Sequence, residues 1–106
     1  MTIEYHPEAD ADAHKGIAEY ERADPIVAAK FTEALLAAEA DIEQRPLQFA
    51  VLEDSPVGFE VRERFVNGFP YSVKYLRDSA GVLIVAVAHH RRRPDYWHDR
   101  LLNKWQ

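Results

Sequence analysis

The densest cluster of polar and aromatic side chains runs from His89 to Trp97 and contains three consecutive arginines. Arginine, tyrosine and tryptophan can contact phosphates and stack on bases, and they are also enriched at the hot spots of protein interfaces. The cluster directly follows the apolar run Val82–Ala88. Side chains at the end of a buried strand are held firmly by that strand and still reach solvent. The sequence therefore predicts a binding or catalytic site at the end of this strand.

RNA cleavage without a metal is one chemistry that such residues could perform. Arginine and lysine can stabilise the charge on a phosphorane, and histidine or tyrosine can transfer the protons. The candidate catalytic residues are Arg62, Arg64, Lys74, Arg91 and Tyr96. Charged residues on a strand can equally belong to the solvated face of a sheet. Both roles stay open for them, because spacing alone does not reveal whether side chains converge.

Metal binding is not expected. His89 and His90 are adjacent, and successive side chains of a strand point to opposite faces, so one ion cannot easily bind both. His6, His14 and His98 are scattered along the chain, and no His-Glu-x-x-His spacing occurs. The chain has no cysteine, which excludes disulfides, thiolate catalysis and cysteine-ligated zinc. We expect neither a metal nor another cofactor.

Charge is distributed unevenly along the chain. Residues 1–58 hold 13 acidic and 4 basic side chains, residues 59–106 hold 5 acidic and 9 basic, and the net charge is −5. The basic second half indicates an acidic partner, although acidic helices beside a sheet with basic edges would give the same pattern. Residue types that are common in binding surfaces are concentrated in this half, and the predicted partner-binding residues are Tyr71, Tyr75, Arg91, Arg92, Arg93, Tyr96, Trp97 and Trp105.

Two amphipathic helices are predicted after a first strand, Thr2–His6. Pro7 fits the first turn of a helix, and apolar residues follow it at helical spacing: Ala9, Ala13, Ile17 and Tyr20. Asp24 and Pro25 suit the N-cap and first position of a second helix, which should end before Pro46. Because only a few residues separate the two helices, they should form an antiparallel hairpin.

The apolar period changes to two in the second half of the chain. Phe59–Phe65 alternates between apolar and charged residues, and Asn67 and Gly68 predict a hairpin turn after it. Tyr71–Leu76 is the predicted returning strand. Val82–Ala88 follows a further turn and is apolar on both faces, which predicts a central strand that is covered on both sides.

The helical hairpin can cover one face of the sheet around this central strand, so the opposite face needs another cover. The candidates are the C-terminal segment and a partner protein. Residues 94–106 could form a short helix in which Trp97, Leu101 and Trp105 share a face. The sequence therefore predicts one α+β domain over residues 1–106, with the order β-α-α-β-β-β and a short C-terminal helix. An antiparallel helical hairpin would pack on a small, mostly antiparallel twisted sheet.

Three stretches of the chain resemble the RelE/ParE superfamily of toxins from bacterial type II toxin–antitoxin systems: Val61–Phe65, Gly68–Tyr75 and Val85–Trp97. A Phe-Pro-Tyr hairpin, followed by an apolar strand that ends in basic residues and Pro-x-Tyr-Trp, is similar to ParE-type members known as plasmid stabilisation proteins. The resemblance implies a toxin that is neutralised by a cognate antitoxin. That antitoxin would be ParD-like or another short DNA-binding protein encoded by a neighbouring gene.

The resemblance also bears on the target. ParE-like members act on DNA gyrase, whereas RelE-like members cleave mRNA in the ribosomal A site. RelE-like ribonucleases are strongly basic, while this chain is acidic; Ser72 stands where they carry a basic residue, and Trp97 where they carry a tyrosine. The resemblance therefore favours a ParE-like toxin that acts on gyrase by protein contact. A ribosome-dependent mRNA endoribonuclease and a weakly toxic member that keeps the fold are the alternatives.

The sequence gives no sign of export or membrane insertion. The N-terminus lacks a basic region followed by an apolar stretch, so no signal peptide is predicted. The longest apolar run, Val82–Ala88, is far shorter than the ~20 residues that a membrane-spanning helix needs. We expect a cytoplasmic protein without a membrane partner.

Overall fold

The helices and strands follow one another in the predicted order. The computed structural model describes residues 2–102. The elements are β1 (Thr2–Tyr5), α1 (Pro7–Ala23), α2 (Pro25–Gln44), β2 (Arg62–Phe65), β3 (Tyr71–Asp78), β4 (Gly81–His89) and α3 (His98–Leu102). This α+β arrangement, with a helical hairpin ahead of most of the sheet, confirms the predicted fold class.

Side-chain caps fix the starts of both long helices. Asp24 Oδ1 accepts a hydrogen bond from the backbone N–H of Ile26 at 2.9 Å, and Pro25 occupies the first turn of α2. His6 caps α1 in the same way, because its Nδ1 atom accepts a hydrogen bond from the backbone N–H of Glu8 at 3.1 Å. Within residues 2–102, none of the helices has the length and apolar character needed to cross a membrane.

β4 lies inside the sheet, as its apolar sequence predicts. The strand order is β1-β4-β3-β2, with β1 parallel to β4 and the other neighbours antiparallel. β1 ends where Tyr5 pairs with Ile84. Among the described residues, the second half of β4 therefore has no strand neighbour on the side of β1.

The helical hairpin covers the first face of the sheet. Phe31, Leu35 and Ile42 of α2 are buried in one apolar cluster with Val73 of β3 and Ile84 of β4. These side chains recur along α2 at the spacing that forms a single helical stripe. Helix and sheet therefore meet through the faces that their apolar periods predict.

The chain itself covers the second face. Trp97 is 0% exposed and lies in a second apolar cluster with Val85 of β4 and Leu101 of α3. Leu52 and Phe59, from the segment between α2 and β2, pack against the same cluster. Of the two covers that the sequence left open, the C-terminal segment is the one observed. No partner is needed to shield this face from water.

β2 is shorter than the predicted strand. It begins at Arg62 and not at Phe59, because the backbone N–H of Phe59 donates to the carbonyl of Pro56 in a turn, at 3.0 Å. Phe65 is 55% exposed, because it lies at the end of the edge strand against the ring of the exposed residue His90.

The turn between β2 and β3 uses one of the two residues predicted for it. Gly68 has a φ of +84°, whereas Asn67 does not enter the left-handed region; within residues 2–102 only glycines have a positive φ. The backbone N–H of Phe69 donates to the carbonyl of Val66 at 3.2 Å. A glycine in the third position of such a turn is typical of type II.

Replacement of Trp97 by alanine is expected to lower the free energy of unfolding by about 3–5 kcal/mol, because it opens a cavity in the second apolar cluster. Chemical denaturation followed by circular dichroism measures this loss. Val57→Ala, at a side chain that is 99% exposed, serves as the control and should leave stability nearly unchanged. A Trp97→Ala variant as stable as the original chain would contradict a structural role for the indole.

Candidate partner-binding site

Two concave surfaces flank the segment that leads from β4 to α3. The first, here called the cationic groove, has a volume of about 260 Å³ and is lined by Asp12, Lys15, Glu19, Tyr71, Val87, His89, Arg91, Arg92 and Tyr96. The second, here called the polar cavity, has a volume of about 220 Å³ and is lined by Glu63, Ser72, Lys74, Ala88, His89, His90, Arg92, Arg93, Pro94 and Tyr96. Three residues, His89, Arg92 and Tyr96, line both surfaces.

Tyr96 is partly buried and supports Arg92. The Arg92 guanidinium lies over the Tyr96 ring, 3.8 Å from its centroid, in a cation–π contact. The Tyr96 hydroxyl donates a hydrogen bond to Asp12 Oδ2 at 3.0 Å. Burial, and then the charge and hydrogen bond of Asp12, raise the pKa of Tyr96 well above its ordinary value. Tyr96 therefore keeps its proton, and its ring orients Arg92.

A buried ion pair connects this site to both layers of the fold. Arg100 donates from Nη1 to Asp12 Oδ2 at 2.8 Å and from Nη2 to Asp12 Oδ1 at 3.2 Å. Asp12 Oδ2 also accepts from the backbone N–H of Val87 at 3.1 Å, and Arg100 Nη1 donates to the carbonyl of Val85 at 2.9 Å. The two side chains thus bond the part of β4 that β1 does not reach, and they join it to α1 and α3.

Neither Asp12 nor Arg100 is among the residues that the sequence singled out. A signal for them exists, since Asp12 follows Ala9 by three positions on the inner stripe of α1, and Arg100 directly precedes the buried residue Leu101. A charged residue at the border of an apolar face predicts a buried partner of opposite sign. Which partner it finds depends on tertiary packing, because 88 positions separate the two residues.

The three consecutive arginines differ in their partners. Arg93 is paired with Asp95, at 2.8 Å, and both are exposed. Arg91 and Arg92 are also exposed and have no carboxylate partner among the described residues. His89 orients this turn, because its Nδ1 atom accepts from the N–H of Arg91 and its carbonyl from the N–H of Arg92, both at 3.0 Å. Two uncommitted cations are therefore held at the exit of β4.

Arg62 and Arg64, two of the candidate catalytic residues, face the helices. Arg64 pairs with Asp41 of α2 at 2.8 Å, and its hydrogen bond holds the pKa of Asp41 below the ordinary value. Arg62 donates to the carbonyl of Phe49 at 2.7 Å and pairs with Glu60 at 2.9 Å. Arg64 thus attaches β2 to α2, and Arg62 attaches β2 to the segment that follows α2. Both arginines lie away from the two concave surfaces.

Lys74 lies on the opposite face of the sheet, at the floor of the polar cavity. Its Nζ atom donates to Glu63 and, at 3.1 Å, to the Ser72 hydroxyl, which itself donates to Glu63 at 3.0 Å. The carboxylate of Glu63 therefore offsets the charge of Lys74. The structure brings Lys74, Tyr96 and Arg92 to the walls of one cavity, but it does not bring Arg62 or Arg64 there.

The predicted partner-binding aromatic residues lie mostly inside the protein. Tyr75 is 0% exposed, and its hydroxyl donates to the carbonyl of Pro46 at 2.6 Å. Trp97 is equally buried, so the prediction that Tyr75 and Trp97 lie on a docking surface is wrong: each ring belongs to an apolar cluster of the chain. Tyr71 is buried but borders the cationic groove. Trp105 lies outside the described residues.

No group of three or more histidine, aspartate or glutamate side chains is placed to hold a metal ion in the part of the chain that the structure describes. His89 and His90 line the polar cavity beside the arginines, but no carboxylate joins them as a third ligand.

Replacement of Asp12 by alanine is expected to lower the free energy of unfolding by about 3–5 kcal/mol, because the buried Arg100 guanidinium then keeps only the exposed Glu8, at 4.0 Å, as an ion-pair partner among the described residues. The double variant Asp12→Ala with Arg100→Met removes both charges and should recover much of this loss. Asp95→Ala, which breaks the exposed pair with Arg93, is the control and should change little. Thermal and chemical denaturation measure these three variants and Arg100→Met alone, and a double variant that loses the sum of both single losses would contradict a coupled pair.

Comparison with known proteins gives a family. The model of the family described as "ParE toxin of type II toxin-antitoxin system, parDE" matches residues 3–94. A chain in a solved structure, titled "Chromosomal ParDE TA system from P. aeruginosa", has a similar fold, with a TM-score of 0.70 and 19% sequence identity. The match covers 84% of this chain and 95% of that one. Comparison with curated proteins found no match. The family match spans most of the sequence, including the cationic groove up to the end of the arginine run, and this chain therefore belongs to the ParE toxin family of type II toxin–antitoxin systems.

Proposed function

We propose that this toxin acts by protein contact on DNA gyrase and that a cognate antitoxin, of ParD type, neutralises it by covering the same surface. Membership of the family makes the chain a type II toxin and implies an antitoxin partner. Gyrase is the target that a ParE-like toxin implies, and because gyrase works on chromosomal and plasmid DNA, we place the toxin in the cytoplasm.

One observation carries the proposal. Arg91 and Arg92 are exposed cations that have no carboxylate partner within residues 2–102, at a turn that is attached to the core by Tyr96 and the Asp12–Arg100 pair. Arginines on a rigid support beside a concave surface are typical of binding hot spots, because little conformational freedom is lost when a partner binds. Such a surface favours recognition of another macromolecule.

The ribonuclease alternative has less support from the positions of its candidate residues. Arg62 and Arg64 are engaged on the helix face, and the charge of Lys74 is offset by Glu63. Tyr96 holds its proton, because burial and Asp12 raise its pKa, so it is poorly suited to act as a general base near neutral pH. A nuclease would need charge stabilisation and proton transfer to converge on one phosphate.

The purified toxin is expected to inhibit DNA supercoiling by gyrase at micromolar concentration. The double variant Arg91→Glu with Arg92→Glu should need about tenfold more protein for the same inhibition, because reversed charges oppose docking. Lys30→Glu, on the exposed side of α2, makes a matched charge reversal away from the site and should inhibit like the original chain. Full growth arrest by a toxin that leaves supercoiling untouched at micromolar excess would contradict gyrase as the target.

In cells arrested by this toxin, transcripts are expected to stay intact. Tyr96→Phe removes the hydroxyl of the candidate catalytic set but keeps the ring under Arg92, so it should still arrest growth. Mapping of RNA 5′ ends after induction checks both points. New cuts at defined codon positions that disappear in Tyr96→Phe would support a ribonuclease instead, and the absence of arrest together with active gyrase would support a weakly toxic member.

A further inference from the structure

Resting on the proposed function, we propose that the cationic groove binds an acidic segment of the antitoxin and holds one of its carboxylates between Lys15, Arg91 and Arg92.

The charges that line the groove are not balanced. Lys15 of α1 and the two arginines after β4 face it from opposite walls, and none of the three makes an ion pair among the described residues. Two carboxylates line the same groove, but Asp12 is bonded to Arg100. Within residues 2–102, Glu19 is thus the one carboxylate of the groove without an ion pair, against three cations without one. A bound carboxylate would reduce this excess of positive charge, because a planar guanidinium can form two parallel hydrogen bonds with it.

The floor of the groove suits the rest of a peptide side chain. Tyr71 and Val87 form this floor, and the Tyr71 hydroxyl makes no hydrogen bond within residues 2–102. A volume of about 260 Å³ admits a few side chains but not a folded domain. The site therefore fits a segment that combines one acidic residue with apolar neighbours.

A nucleic acid fits the groove less well. Glu19 and Asp12 lie on its wall, and the whole chain carries a net charge of −5, which repels a phosphate backbone. A peptide that offers one carboxylate meets the cations without placing further negative charge beside Glu19. Because the chain belongs to a toxin–antitoxin family, the partner that must bind it tightly is the antitoxin.

The test uses the full-length toxin and the protein encoded by the gene next to it, together with short overlapping peptides that span that protein. Titration calorimetry should show that Lys15→Glu and Arg91→Glu each weaken binding of the full-length antitoxin by about tenfold or more, and that added salt weakens binding to the original chain. Lys30→Glu on α2 and Arg77→Glu near the end of β3, both exposed and outside the groove and the polar cavity, are matched charge reversals and should bind normally. Circular dichroism confirms that every variant is folded.

A peptide that competes with the antitoxin should be acidic and should lose affinity when its aspartate or glutamate becomes the corresponding amide. A lysine at that position should restore binding to Arg91→Glu, which a merely structural role of Arg91 would not produce.

Equal affinity of the antitoxin for all five toxin proteins would overturn the groove assignment and leave the proposed function standing. If the original toxin does not bind the protein encoded by the neighbouring gene, the antitoxin part of the proposed function is itself contradicted. Displacement of the antitoxin by a short DNA duplex or RNA strand, lost in the same variants, would make the ligand a nucleic acid and overturn this inference.

Discussion

The buried pair of Asp12 and Arg100 is the contact on which the arrangement of this toxin depends. It lies where β1 ends and β4 has no further strand neighbour on that side among the described residues, and it supplies hydrogen-bond partners to backbone groups that would otherwise be buried without any. The same pair holds the C-terminal segment against α1, which places Trp97 over the second face and the ring of Tyr96 under Arg92. A covered sheet and an oriented arginine are therefore two results of one interaction.

Six basic residues of the second half fall into two groups according to their ion pairs. Arg64, Lys74 and Arg100 each pair with a carboxylate of another helix or strand, and Arg62 pairs with the nearby Glu60, so these four charges serve the fold. Arg91 and Arg92, on the short turn after β4, make no ion pair among residues 2–102, so their charges are available to a partner. An acidic protein can present a cationic surface in this way because its surplus carboxylates lie on the outer faces of the helices.

Most of the fold could be predicted from the sequence, because local signals agree with the global arrangement. Asp24 and Pro25 begin α2, Gly68 turns the hairpin, and the apolar run of β4 marks the inner strand. The site was predicted only in part. The arginine run is exposed, as predicted, but Trp97 belongs to the core. The sequence could not reveal this, because an aromatic residue beside cations fits an interface and an interior equally well.

Long-range pairing explains what the sequence could not reveal. The partner of Asp12 lies 88 positions away, and Glu63 meets Lys74 only through the register of two strands. Periodicity assigns a residue to a face, but it does not select the side chain that will lie opposite. The second cover of the sheet was ambiguous for the same reason, since the composition of the tail suits either docking on the chain or on a partner.

The parallel pairing of β1 with β4 has a consequence for synthesis of the protein. β1 pairs only with β4, the last strand, so the sheet cannot form completely until nearly the whole polypeptide has left the ribosome. The walls of the groove come from α1 and from the turn after β4, and they meet only at that moment. A nascent or prematurely terminated chain that lacks β4 therefore lacks this groove as well.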